Sequence, residues 1–135
     1  MLRRIRNIVR PEAFQGSHRQ PPYFEGWYLK LVNASQTRRL ALIPGLYRDR
    51  VATNSHSFVQ VFAHEQKLGR LIRFSEADFS ASTESFDTRV GENRFSRTGV
   101  DVNLASDGLE LQGALTFKDL KPWPVTLASP GIMGW

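Results

Sequence analysis

The chain has 135 residues, of which 41% are hydrophobic, 23% charged and 11% aromatic, and it contains no cysteine. This length predicts a single globular domain, and the composition argues against a disordered chain. The lack of cysteine excludes disulfides, thiolate metal sites and cysteine nucleophiles, and it is typical of a reducing compartment, so we expect a cytoplasmic protein. No apolar run reaches the roughly 20 residues of a transmembrane helix.

The net charge of +5 is concentrated near the N-terminus, because residues 1–50 hold ten basic and only three acidic residues. Within residues 1–10, four arginines are interspersed with Leu2, Ile5 and Val9 at helical spacing. A basic amphipathic segment of this kind can lie on an anionic lipid surface, which predicts a peripheral membrane contact. The alternative is a solvated tail with a few hydrophobic side chains docked on the domain.

Three strands are predicted in the first half of the chain. An aromatic run over residues 23–32 favours one strand, in which Gly26 indicates a bulge or a close backbone approach. Residues 40–43 predict a second strand, interrupted by Pro44 and Gly45. Residues 55–64 alternate in polarity and predict a third. Its alternation places two sets of side chains on opposite faces: His56, Phe58, Gln60, Phe62 and His64, and Ser57, Val59, Val61 and Ala63.

The strongest local pattern lies in the second half of the chain. Asp107 and Gly108 separate two runs, over residues 100–104 and 109–117, in which apolar and polar residues alternate, and this pattern predicts a β-hairpin with a type I′ turn. Residues 11–135 show no sustained helical period, so short strands separated by turns predict an all-β fold, an antiparallel lipocalin-like barrel or sandwich over residues 11–120.

The C-terminal residues have a different character. Residues 121–135 are proline-rich and favour an extended connector, because proline cannot donate to a strand ladder. The apolar sequence of residues 130–135 predicts that the chain belongs to a longer protein and that the barrel or sandwich is incomplete here.

Most kinds of reactive site lack a sequence pattern. His18, His56 and His64 are the only histidines, and the last two are eight residues apart on one strand face, too far to share a metal ion. No nucleophile elbow or glycine-rich phosphate loop is present, so we expect no metal and no cofactor. Aromatic residues 23–28 beside Arg38 and Arg39 could stack single-stranded nucleic acid, but their pattern is typical of a packed strand, which disfavours a nucleic-acid partner.

A small antiparallel barrel can enclose a lipophilic molecule. Polar residues on apolar strand faces are then the candidate functional groups. Glu25 shares a face with Tyr23 and Trp27, and a glutamate buried there would have a raised pKa and could act as a general acid. The alternative is that Glu25 pairs with an arginine or lies at the mouth of the barrel. His56 and Gln60 share a second apolar face with Phe58.

Three blocks of the sequence resemble the tocopherol cyclase family. The most specific is Phe-Glu-Gly-Trp-Tyr at residues 24–28, preceded by residues 11–16. The second is the run over residues 55–62, and the third begins at Trp123 and continues to residue 135. The resemblance implies a lipocalin-like β-barrel and closure of a chromanol ring from a prenylated hydroquinone, without a redox cofactor. It also implies that the family's members are longer than this chain.

That chemistry requires an acid that protonates a trisubstituted alkene, aromatic faces that stabilise the carbocation, and exclusion of water. We assign Glu25 as the acid, and His56 or Gln60 as the group that orients the phenol. The predicted substrate-binding residues are Trp27, Tyr28, Phe58, Gln60 and Trp123, and the expected substrate is a prenylated phenol or polyene that is cyclised or hydrated. A non-catalytic carrier of a lipophilic small molecule is the main alternative, and a basic binder of single-stranded nucleic acid is a third.

Overall fold

The computed structural model describes residues 10–124 and 126. Ten antiparallel strands in this part of the chain form two sheets, which confirms the predicted all-β fold. The sheets face each other and do not close into a barrel, so the sandwich is the observed one of the two predicted architectures. Helical structure in the described residues consists of short 3₁₀ turns, none with the length and apolarity needed to cross a bilayer: Gly16–His18, Ala52–Asn54 and Glu76–Asp78.

Two predicted segments lie largely outside the described residues. The amphipathic segment 1–10 is described only at Arg10, which is exposed. The connector 121–135 is described at residues 121–124, which are exposed and form neither helix nor strand, and at Thr126. The amphipathic character of the first segment and the connecting role of the second therefore stay predictions.

The first sheet has β3 at its centre, with β1 and β2 along one side and β4 and then β5 along the other. Each of these pairings is antiparallel. The five strands are β1 (Tyr23–Gly26), β2 (Leu29–Val32), β3 (Arg39–Arg48), β4 (His56–Ala63) and β5 (Leu68–Phe74).

The second sheet is an antiparallel meander in which every strand pairs with its neighbours in the sequence, in the order β10-β9-β8-β7-β6. Its strands are β6 (Phe79–Ala81), β7 (Asp87–Val90), β8 (Asn93–Ser96), β9 (Gly99–Ser106) and β10 (Leu109–Thr116).

Pro44 explains why the predicted strand over residues 23–32 is divided in two. The backbone N–H of Trp27 donates to the carbonyl oxygen of Pro44 at 3.0 Å, but Pro44 has no N–H with which to return the second bond of an antiparallel pair. The predicted interruption of the second strand at Pro44 is therefore wrong. Strand β3 continues through it, and the neighbouring strand is interrupted at Trp27 and Tyr28 instead.

The same register continues across that interruption. Gly26 lies opposite Gly45 in β3, and Leu29 lies opposite Leu42, as they would in a single uninterrupted strand. The alternation of side chains between the two faces of the sheet is therefore continuous from β1, through Trp27 and Tyr28, to β2.

The core lies between the sheets. Val59 and Val61 in β4 are completely buried and face the second sheet, together with Leu42 of β3. Because strand side chains alternate, the other face of β4 points away from the core. The second sheet contributes five buried apolar residues: Val90, Phe95, Val100, Val102 and Leu104.

The segment before β1 joins the two sheets. The backbone N–H of Phe14 donates to Ser82 O at 3.0 Å, beside the second sheet. The indole N–H of Trp27, next to β1, donates to Glu12 O at 2.8 Å. Arg10 and Glu84 form an ion pair at 2.7 Å, so residues 10–14 are held at both sheets.

The predicted hairpin is confirmed in its strands and register, and wrong in its turn type. Ser106 pairs with Leu109, so Asp107 and Gly108 form a two-residue loop. Gly108 has φ of +73°, but Asp107 is not among the residues with positive φ, and a type I′ turn requires positive φ at both positions.

Gly45 offers a test of the packing on the outer face of the first sheet. A Cβ atom at this position would meet the ring of Phe58 and lie 2.7 Å from the carbonyl oxygen of Glu25. We expect Gly45→Ala to lower the free energy of unfolding by about 1–3 kcal/mol, measured by denaturant titration. Gly69→Ala is the matched control, because its Cβ meets only the half-exposed ring of Phe62 at 3.3 Å. Equal losses in the two variants would contradict this packing.

Candidate functional site

Glu25 lies on the inner face of the first sheet, where it pairs with the fully buried Leu46. Its carboxylate accepts a hydrogen bond from the hydroxyl of Tyr23, two residues away on the same face. The backbone N–H of Gln15 donates to both carboxylate oxygens at 3.1 Å. Glu25 therefore ties the segment before β1 to the strand itself.

Burial raises the pKa of the Glu25 carboxyl above its ordinary value, because desolvation disfavours the charged form. The hydrogen bonds from Tyr23 and Gln15 and the positive charge of Arg19 oppose this shift without cancelling it. Burial, together with the hydrogen bond to Glu25, also raises the pKa of Tyr23. Glu25 thus keeps its proton to a higher pH than an exposed glutamate, as a general acid requires.

Four aromatic rings gather on the same side of the sheet as Glu25. Trp27 is two positions further along that face, and its ring centroid lies 5.8 Å from that of Phe86 and 6.4 Å from that of Phe79. Phe14 closes the group, 5.3 Å from Phe79 in an edge-on arrangement. The rings connect the segment before β1 with both sheets and form an apolar environment close to the carboxyl group.

The structure does not bring His56 to Glu25. Leu46, opposite Glu25 in β3, pairs with Ser57 in β4, so Ser57 shares the inner face and His56 lies on the outer one. The His56 ring bonds through Nδ1 to Asn54 O at 2.8 Å and lies 5.4 Å from the ring of Tyr47. His56 and Glu25 thus face opposite sides of the first sheet.

The predicted substrate-binding residues are also divided between the two faces of the first sheet. Trp27 faces the inner side, whereas Tyr28, Phe58 and Gln60 face the outer side with His56. Trp123 is exposed and lies beyond β10. The sequence correctly placed His56, Phe58 and Gln60 on one strand face, but that face points away from the space between the sheets.

An apolar cleft opens between the sheets at the end where β2 finishes and β4 leads into β5. Its volume is about 910 Å³, which is within the range of small-molecule sites. Leucines from both sheets and one phenylalanine form its apolar lining: Leu31, Leu40, Leu68, Leu109, Leu111, Leu115 and Phe117.

Charged side chains lie around this cleft. Arg39 is neutralised by Glu65, with Nε and Oε1 3.0 Å apart. Lys30 and Arg38 also line the cleft, and neither forms an ion pair among the described residues. Within residues 10–124, no three His, Asp or Glu side chains come together in a way that could hold a metal ion.

Sequence reasoning did not identify this cleft. The alternation of Leu109, Leu111 and Leu115 in β10 was visible, and it predicted a half-buried strand packed on a core. In the structure Leu115 is 52% exposed, so its side of β10 is only partly covered by the first sheet. The sequence offers no signal for the cleft, because it does not show how far the first sheet extends over this face of β10.

Comparison with models of protein families, with curated proteins and with solved structures gives no match. The fold and the cleft define the chain as an all-β protein of two antiparallel sheets with an apolar cleft between them.

The raised pKa of Glu25 predicts a specific pH dependence of stability. A carboxyl with a raised pKa in the folded state contributes fully to stability below its ordinary pKa of 4.5, and this contribution is lost as the pH rises through the folded-state value. Glu25→Gln removes the titration. The free energy of unfolding of the variant, relative to wild type, should therefore increase as the pH rises above the ordinary value of 4.5.

Denaturant titrations at several pH values measure this difference. The lowered pKa values of Asp49, Glu65 and Asp87 give the opposite trend, but these groups are present in both proteins and cancel. Glu110→Gln, at an exposed position of β10, controls for the chemical change itself. If the free energy of unfolding of Glu25→Gln relative to wild type is independent of pH, or decreases as the pH rises, burial does not dominate the titration of Glu25.

Proposed function

We propose that the chain binds an elongated lipophilic molecule in the cleft between its two sheets. The observation that supports this proposal is the apolar lining of a cleft of about 910 Å³ by side chains from both sheets. Apolar surface that stays uncovered at the end of a sandwich core is costly in water, and a bound hydrocarbon relieves that cost. The proposed function is therefore to bind and carry a lipophilic molecule without changing it chemically.

The surroundings of the cleft suggest how such a ligand is oriented. Lys30 and Arg38 bring positive charge to the cleft and form no ion pair in the part of the chain that the structure describes, whereas Leu109 and Leu111 belong to the half-buried face of β10. A polar or anionic head is best accommodated beside Lys30 and Arg38, because water still reaches these groups. The hydrocarbon part then lies against the leucines.

Leu115 provides a direct test, because it lines the cleft and is exposed enough for substitution without opening the core. We expect Leu115→Arg to weaken binding of diphenylhexatriene, an uncharged rod-shaped fluorophore, by about ten-fold or more, since a charge beside an apolar ligand is costly. Fluorescence titration measures the affinity.

Leu120→Arg is the matched control. Leu120 is 51% exposed, close to the 52% of Leu115, but it does not line the cleft. It should bind the fluorophore as wild type does. Equal weakening in both variants, or no binding by the wild-type protein, would be evidence against a ligand site in the cleft.

Proton-catalysed cyclisation of a prenylated phenol is a second candidate function, implied by the resemblance to tocopherol cyclases. It is favoured by the raised pKa of Glu25 and by the rings of Phe14, Trp27, Phe79 and Phe86 on the same side of the sheet. The Glu25 proton is transferred to the alkene, giving a tertiary carbocation that aromatic faces stabilise. The phenol oxygen then attacks the cation, and its proton returns to the carboxylate.

The positions of the groups limit this second proposal. Glu25 is not among the residues that line the cleft, and its carboxyl is already bonded to Tyr23 and Gln15. Catalysis therefore requires the alkene to approach the carboxyl group from the aromatic cluster. His56 has no direct role in this arrangement, because it lies on the opposite face.

Incubation with a prenylated hydroquinone without oxygen distinguishes the two functions. A cyclase gives a chromanol, and Glu25→Gln should reduce the rate by about 100-fold or more, as expected when a general acid is removed. Recovery of the bound hydroquinone unchanged supports the carrier function and contradicts cyclisation. Turnover that survives Glu25→Gln would remove Glu25 as the acid.

A further inference from the structure

The outer face of the first sheet exposes an apolar, aromatic surface to solvent. Phe24 is 64% exposed and Tyr28 is 66% exposed, and both lie on this face by the register of β1 and β2 with β3. Tyr28 also lines a groove of about 590 Å³ on the same face, with Ala41 and Phe62. We call this surface the outer aromatic face, and its exposed apolar members are Phe24, Tyr28, Val32, Phe62 and Leu71.

Glycines in the sheet allow the rings of this face to approach the backbone. Phe58 is paired with Gly45 across β3 and β4, and its ring occupies the space that a side chain on Gly45 would need. The ring of Phe24 stacks on Phe58 with centroids 5.7 Å apart and planes 11° from parallel. Phe62 lies beside Gly69 in the same way. The aromatic surface is therefore packed in place rather than a set of isolated side chains.

Every outward-facing strand side chain that can carry a charge near neutral pH is basic. Among the described strands of this sheet, these positions hold no aspartate or glutamate, and the basic residues are Lys30, Arg39, His56 and Arg73. Glu65, in the loop after β4, is bound to Arg39. Asp49, in the loop after β3, accepts hydrogen bonds from the Tyr47 hydroxyl and the Val51 N–H. The acidic groups near this face are thus already engaged.

We propose that the outer aromatic face docks on an anionic lipid surface. Aromatic and aliphatic side chains such as Phe24 and Tyr28 enter the boundary between headgroups and acyl chains, while Lys30 and Arg73 meet the negative headgroups. Charge complementarity selects this partner over a second copy of the chain. A symmetric dimer through this face would bring basic residues towards their own copies.

Vesicle co-sedimentation of the full chain tests the proposal. We expect the protein to pellet with vesicles containing phosphatidylserine, to bind vesicles of phosphatidylcholine alone much less, and to be released by salt. Tyr28→Asp should reduce binding to the phosphatidylserine vesicles several-fold, because it replaces an exposed ring of the face with a negative charge. Lys30→Gln should reduce it about five-fold, the contribution of one basic side chain near an anionic surface.

Leu120→Asp is the matched control, because Leu120 is an exposed apolar residue outside the first sheet. It should bind vesicles as wild type does. The basic residues 1–10 could attract the same vesicles, and the substitutions separate the two surfaces. Binding that Tyr28→Asp leaves unchanged would overturn the proposal and assign the attraction elsewhere.

A second copy of the chain is the remaining candidate partner, and a measurement of mass in solution tests for it. Sedimentation of the wild-type protein as a monomer supports the proposal when vesicle binding is also seen. A dimer that Tyr28→Asp dissociates would overturn it in favour of self-association. Absence of binding to phosphatidylserine vesicles by the wild-type protein would overturn it as well. Because Leu115→Arg affects the cleft and Tyr28→Asp the outer face, failure here leaves the ligand proposal unaffected.

Discussion

The continuous pairing of β3 with strands on both sides decides where each candidate residue lies. Because β3 pairs in one register with β1 and β2 and in another with β4, the inward direction of Leu42 fixes the direction of every side chain in those four strands. The N–H and C=O of a residue in an antiparallel strand point to the same neighbour, so the missing N–H of Pro44 affects only the side of Trp27. Here its carbonyl still accepts from Trp27, and only the strand beside it is interrupted. The separation of Glu25 from His56 follows directly from this register.

The sequence was most informative where polarity alternates and turn residues are distinctive. The β9–β10 hairpin, the faces of β4 and the all-β class could all be predicted. The choice of inner face could not, because β4 is apolar on both sides, with Val59 and Val61 on one and Phe58 and Phe62 on the other. Burial depends on which side the second sheet covers, and no local pattern carries that information. The cleft was missed for a related reason, since the exposure of Leu115 depends on how far the opposite sheet extends.

Glu25 combines two physical roles. Its carboxylate accepts from the Gln15 N–H and the Tyr23 hydroxyl, so it holds the segment that joins the sheets. The same burial that makes these hydrogen bonds strong also raises the cost of its charge. The raised pKa of Glu25 is thus explained by its structural position alone, without reference to a reaction. A catalytic role requires in addition that a substrate reach the carboxyl group, and this is the condition on which the cyclase proposal depends.

The cleft and the outer aromatic face meet at one end of the first sheet. Five residues line both the cleft and the groove on the outer face: Lys30, Arg39, Leu40, Ala63 and Leu68. Alternation makes this possible, because neighbouring residues of one strand serve opposite faces, as Leu31 and Lys30 do. Transfer of a lipophile through water costs about 0.8 kcal/mol for each CH₂ group that becomes exposed. If both proposals hold, a chain docked by its outer face keeps the cleft close to the bilayer, and a ligand passing between them crosses little water.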